Sequence, residues 1–152
     1  VKKIIFLTAF LASSLSFGAD WRYAASTDAD SYWVDKSFYK YDSKNNSIDV
    51  WSKSVTKKLG LNEFYTKSKS LDKYSCVDKA VKNIAYVEYN VDGSVSKSST
   101  SAASKFTIIF PDSIAESIWE IACSTKGKGF KFSKFQQQFF DASSAEFKSK
   151  FE

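Results

Sequence analysis

Apolar and polar residues alternate with a period of two along most of the chain before Pro111. Trp21 and Tyr23 in "DWRYAAS", and Tyr32 and Val34 in "SYWVDKSFYKY", stand at every second position. That spacing sends one set of side chains to each face of a strand. In "SIDVWSKSVT" it places Ile48 and Val50 on one face and Trp51 and Val55 on the other. "NEFYTKSKSLDKYSC" and "NIAYVEYNV" predict two more strands. Asp92-Gly93 then gives a strong hairpin signal, with Ser94 to Lys97 returning. "DSKNNS" predicts a turn, the Lys57-Lys58-Leu59-Gly60 stretch a break, and "SKSSTSAAS" a small-residue loop. "KFTIIF" is the last predicted strand, stopped by Pro111.

The period changes in "FPDSIAESIWEIAC". Ser113 can cap a helix, with Glu116 three residues on completing a capping box. Ile114, Ile118 and Ile121 recur at helical spacing, flanked by Ala115, Ala122 and Trp119. Strands with hairpin-length connections followed by one helix predict an α+β fold. The expectation is an antiparallel meander sheet of about six strands with one C-terminal helix packed on it. Phe and Tyr dominate an aromatic content of 17%, which suits strands. The length of 152 residues allows one domain with a real core.

The first residues read differently. Lys2 and Lys3 precede the apolar run Ile4 to Ala12, and small residues follow, as in a secretory signal peptide over residues 1–19. The alternative is a single membrane anchor, for which the run is short. No Cys follows the apolar run, so a lipid-anchored N-terminus is not expected. Export changes the reading of Cys76 and Cys123. In an oxidising compartment they pair as one disulfide, closing a loop of about 48 residues, and two free thiols are the alternative. The bridge would staple the helix to the strand ending at Cys76.

Candidate chemistry is sparse. The chain has no His, which removes the commonest general base and metal ligand. No nucleophile elbow and no glycine-rich phosphate loop are present. Asp28, Asp30 and Asp35 lack the spacing of a calcium loop and read as a turn with solvated acids. No catalytic residue, cofactor or metal is expected, and the chain reads as a non-enzyme.

The formal charge of +5 falls to about +3 once the signal residues are set aside. From Asp20 to Cys123 the charges balance, 14 of each sign, and the later residues carry six Lys against three acids. Within the neutral body, Lys53 to Lys82 holds eight Lys against Glu63, Asp72 and Asp78. Such a band attracts an acidic partner, although a solvated strand face has the same composition. Lys67, Lys69, Lys73 and Lys79 are the candidate contacts on charge alone. Nucleic acid is not an expected partner, since no base-reading motif occurs.

The tail "KGFKFSKFQQQFFDASSAEFKSKFE", drawn as one helix, gathers Phe132, Phe135, Phe139, Phe140, Phe147 and Phe151 on one side, with Lys131, Lys134, Lys148 and Lys150 flanking or opposing them. Ser133 with Gln136 and Ser143 with Glu146 are two capping boxes, so two short helices fit equally well. The tail packs on the exposed sheet face, or presents Phe135 and Phe139 to a partner or a membrane surface, or frays, against which its six Phe argue.

The order of motifs carries a resemblance. Trp21 and Tyr23 are followed by "YWVDKSF", "VWSK", "KSLDKYSC" and finally "FPDSIAESIWEIAC". This order resembles the bacterial surface-adhesin protein E family over about Asp20 to Cys123. The resemblance implies a compact antiparallel sheet carrying the helix, the Cys76–Cys123 bridge, and a non-enzymatic role. The founding adhesin of that family binds host matrix and plasma proteins such as vitronectin, laminin and plasminogen, and it is lipid-anchored. The expected organisation is a signal peptide (1–19), an adhesin-like domain (20–123) and an amphipathic extension (124–152). The expected function is an exported binding protein meeting a host matrix or plasma protein. The alternative is a soluble periplasmic accessory or inhibitor protein that docks on an envelope partner through its tail.

Overall fold

A computed structural model describes residues 18–57, 63–103 and 105–141. Residues 1–17 of the predicted signal segment, Lys58 to Gly60 of the predicted break, the Ser143–Glu146 box and Phe147, Lys148, Lys150 and Phe151 lie outside the described residues.

Eight strands form one antiparallel sheet: β1 (Trp21–Ser26), β2 (Asp30–Asp35), β3 (Lys40–Asp42), β4 (Ser47–Lys57), β5 (Phe64–Ser75), β6 (Ala80–Tyr89), β7 (Val95–Ser99) and β8 (Thr107–Ile108). The main order is β1-β2-β4-β5-β6-β7; β3 continues alongside β4, and β8 alongside β6. The helix α1 runs from Ile114 to Cys123, and residues 134–141 form a second helical segment, α2. The expected α+β meander with a packed helix and one disulfide is the observed fold.

Local chemistry accounts for the differences in detail. The stretch predicted as one strand from Tyr32 to Tyr41 is two. The Asp35 carboxylate accepts hydrogen bonds from the Ser37 amide and hydroxyl and from the Asp20 amide, closing a turn between β2 and β3. Asp35 is buried there, and Asp30 sits in β2 in contact with Lys67. Only Asp28 of the three acids is the solvated turn residue expected, because the other two satisfy buried or cross-strand donors. "KFTIIF" contributes only two paired residues, since β6 is already occupied further along by β7. Asn83 instead receives a hydrogen bond from the Ala103 amide.

α1 begins as predicted, with Ser113 Oγ accepting from the Glu116 amide. The reciprocal arm is displaced by one residue. Glu116 Oε2 accepts from the Asp112 amide at 2.6 Å, not from that of Ser113. Its other oxygen holds the Lys79 ammonium. Ile118, Ile121, Ala122 and Cys123 are buried against Ala24, Val34, Ile48, Val50, Tyr74 and Ile109. Val34, Ile48 and Val50 are completely inaccessible. Each such side chain contributes about 1.5–3 kcal/mol of burial free energy. The Trp119 indole donates to the Ser75 carbonyl at 3.0 Å, so α1 is also tied to the end of β5.

Cys76 and Cys123 form the disulfide, with Cα atoms 5.4 Å apart. Beyond it the chain turns back at Gly127, whose φ of +88° is natural only to glycine; an added Cβ would stand 2.6 Å from the Tyr41 ring. Phe130 and Phe132 then pack against the core. The Ser133–Gln136 capping box forms in both directions and opens α2. α2 lies along the free edge of β1: Gln136 Nε2 donates to the Ala24 carbonyl at 2.8 Å. Phe139 stacks on Tyr23 at 4.0 Å, and Arg22 sits 4.1 Å over the Phe140 ring. An edge strand with unpaired backbone groups is thereby covered.

Candidate binding face

Cross-strand partners share a face of a sheet, so the register assigns each side chain to a side. The side carrying α1 holds Ile48 opposite Tyr74, then Val50 opposite Asp72, Ser52 opposite Ser70, and Ser54 opposite Ser68. Past the end of the helix this side becomes a polar strut. Ser54 and Ser68 are hydrogen-bonded at 2.8 Å, and Ser52 and Ser70 at 3.0 Å. Asp72 accepts from Ser70 at 2.6 Å and from Asn83 at 2.8 Å. Burial raises the Asp72 carboxyl pKa, and these two hydrogen bonds oppose the rise. The same burial pushes the Tyr74 phenol far up. The strut satisfies its own donors and acceptors and therefore serves structure.

The opposite side is the open face. Its side chains fall into rows running across the strands. One row is Lys40, Asp49, Lys73 and Lys82. The next is Trp51, Leu71 and Ala85. The third is Tyr23, Trp33, Lys53, Lys69 and Val87. Trp51, Lys53, Lys69, Leu71, Lys73, Lys82, Ala85 and Val87 are all half-buried. At its β1 end the face is covered, since Tyr23 is buried beneath Phe139 of α2.

The electrostatics of this face are unbalanced. Lys53 and Lys69 are directly paired across β4 and β5, two like charges in adjacent strands. Lys53 lies 4.8 Å over the Trp21 ring and 5.8 Å over that of Trp33. Burial, with the Lys69 charge adding to it, lowers the Lys53 pKa below the ordinary lysine value. Lys69 stands 5.7 Å from the Tyr89 ring, and Lys82 5.0 Å from that of Phe106. In the first row, buried Asp49 is shared by Lys73 at 2.5 Å and Lys40 at 3.7 Å.

The four lysines singled out from charge do not make one band. Lys69 and Lys73 stand together on the open face. Lys67 occupies a β-bulge between Ser54 and Val55 and pairs with Asp30 at 3.0 Å. Burial raises the Asp30 pKa, but hydrogen bonds from Thr56 and Lys67, with the Lys67 charge, bring it below the usual value. Lys79, in a left-handed conformation, binds Glu116 at the α1 end and lies 5.4 Å from Trp119. Phe135 and Phe139 sit together at the β1 edge beside Tyr23, 65% and 40% exposed. Trp51, Lys53, Leu71 and Lys82 share the open face with Lys69 and Lys73 and were not among the residues singled out. The alternation Trp51-Lys53-Val55 placed two of these on one side, but only the register joins them to β5 and β6.

Two concavities flank the sheet. A cleft of about 840 Å³ lies beside the disulfide and is lined by Tyr41, Cys76, Trp119, Lys126 and Lys131 among others. A smaller one of about 390 Å³ lies at the hairpin end, between Phe64, Tyr65, Lys69, Tyr89 and Val91. Among the described residues, no three His, Cys, Asp or Glu side chains gather in a metal-holding group. No helix among them is long and apolar enough to cross a membrane.

The structure is thus a disulfide-stapled antiparallel sheet with α1 on one face and a group of lysines and tryptophans on the other. Residues 21–124 match the surface-adhesin protein E family, and the chain belongs to that family. Membership points to a binding role and to an exported or cell-surface setting. No curated protein and no solved structure was found to match the chain. The family match ends at the residue after Cys123, so α2 and the tail lie beyond it.

Proposed function

We propose that the chain is an exported, non-enzymatic binding protein that meets an acidic protein partner, such as a host matrix or plasma protein, through its open sheet face. The observation that supports this is the gathering of Lys53, Lys69, Lys73 and Lys82 around the Trp51–Leu71–Ala85 row. Lys53 and Lys69, half-buried and set like against like, cost stability in the free protein, and an acidic partner would relieve that cost. Tryptophan and leucine between them supply the apolar contact that charges alone do not. Binding to immobilised vitronectin, laminin and plasminogen at low and physiological salt tests the reading. A salt-sensitive interaction with any of the three, lowered at least tenfold by Lys53→Glu with Lys69→Glu and Lys82→Glu, supports it. Binding unchanged by the reversals, or absent for all three ligands, overturns the open face as the contact.

A second reading rests on α2. The exposure of Phe135 and Phe139 beside Tyr23 favours docking of the tail on an envelope partner, with the chain acting as a periplasmic accessory or inhibitor protein. Deleting residues 125–152 separates the two. Loss of partner binding with an intact sheet supports the second reading, and retained binding supports the first.

A further inference from the structure

The rows of the open face have a spacing as well as a charge. Lys69 and Lys73 lie on the same strand, four residues apart, with Leu71 between them. At about 3.4 Å per residue in an antiparallel strand, the two basic rows stand roughly 13–14 Å apart. The Lys53–Lys69 row bounds one side, the Lys73–Lys82 row bounds the other, and Trp51, Leu71 and Ala85 form the floor. The floor runs across the strands. An α-helix with its side chains is about 10–12 Å wide. A helix laid along this floor would set its flanking residues over the two lysine rows.

We infer that the open face is a cradle for an amphipathic helix of acidic character, lying across the strands on Trp51, Leu71 and Ala85, with carboxylates on both flanks reaching Lys53 and Lys69 on one side and Lys82, beside the Lys73–Asp49 pair, on the other. The inference rests on the proposed use of this face and adds the form of the partner. Charge selects the occupant. A second copy of the same face would bring lysine against lysine. The chain's own residues 142–152 carry Lys148 and Lys150 against Glu146 and Glu152, with no acidic excess to offer. An extended acidic strand could reach one row at a time but would not span both with its apolar residues on the floor between.

The test uses the full chain and three synthetic 18-residue peptides. The first is helical, with an apolar stripe and glutamates on both flanks. The second is a scramble of the same composition, and the third is polyglutamate. Affinity is read by calorimetry, with peptide helicity followed by circular dichroism. The expected result is at least tenfold tighter binding of the amphipathic peptide than of either control, with helicity gained in the complex. Lys69→Glu with Lys82→Glu, one from each row, should weaken it at least tenfold. Leu71→Ala, which leaves the charges intact, should weaken it severalfold, and the fold of each variant is checked by its own dichroism. Equal binding of scramble and amphipathic peptide overturns the helix cradle while leaving the matrix-protein contact untouched. Preferential binding of the helix that survives the lysine reversals overturns it also, by placing the helix elsewhere.

Discussion

The bridge between Cys76 and Cys123 permits a prediction with a worked magnitude. The two residues are separated by 47 positions, and the loop between them contains β6, β7, β8 and α1. In the chain-entropy treatment, a loop of that length restricts the unfolded chain by about 4 kcal/mol at 25 °C. The native geometry offers little to subtract, since α1 is independently held by Ile118 and Ile121 and by the Trp119 hydrogen bond. Replacing both cysteines by alanine should therefore cost about 4 kcal/mol, a large part of the ~5–15 kcal/mol typical of a domain. Urea denaturation followed by tryptophan fluorescence measures this, and mild reduction of the unaltered protein should reproduce it. The urea midpoint should fall with little change in the folded spectrum, because the core contacts remain. A loss below about 1 kcal/mol would refute the reasoning, since it would mean the unfolded chain gains almost no freedom when the bridge is cut. So would loss of the folded spectrum in water with no measurable transition, because that would make the bridge a condition of the native packing itself.

Four further outcomes follow from particular contacts. Ile121→Ala, at a position 2% exposed between helix and sheet, should cost about 2–5 kcal/mol in the same denaturation assay. Gly127→Ala should lower the midpoint by the equivalent of about 1 kcal/mol or more, because the positive φ and the Tyr41 ring both oppose a Cβ. The hydrogen bond from Lys79 and that from the Asp112 amide hold the Glu116 pKa below its ordinary value. Its contribution is thus present above the ordinary glutamate pKa and is lost as pH falls through the lower folded value. The stability gap between the native protein and Glu116→Gln should therefore be open at pH 7 and should close on acidification, as read by thermal melts across that range. Lys53→Met removes a charge that burial and Lys69 both disfavour, so the variant should melt no lower than the parent while losing affinity for an acidic ligand.

The strands, the hairpin at Asp92-Gly93, the cap at Ser113 and the helix stripe were legible in the chain because each depends on neighbours within a few residues. Period-two alternation and a capping hydroxyl are local facts, and so is the sorting of Ile48 and Val50 to the face opposite Trp51. The cysteine pairing was legible by arithmetic, given an oxidising setting. The turn at Asp35 was less so: its carboxylate reaches the Asp20 amide, a partner fifteen residues away that no window reports. The lysines show the limit most clearly. A count along the sequence treats Lys67, Lys69, Lys73 and Lys79 as one band, whereas pairing sends Lys67 to Asp30, Lys79 to Glu116, and only Lys69 and Lys73 to a common face. One residue of register, or one bulge, moves a side chain to the other side of a sheet. Composition and periodicity thus determined which elements form and which residues each strand buries. The tertiary structure alone decided which charges neutralise one another and which are left together on a surface, because that depends on alignment between strands far apart in the chain.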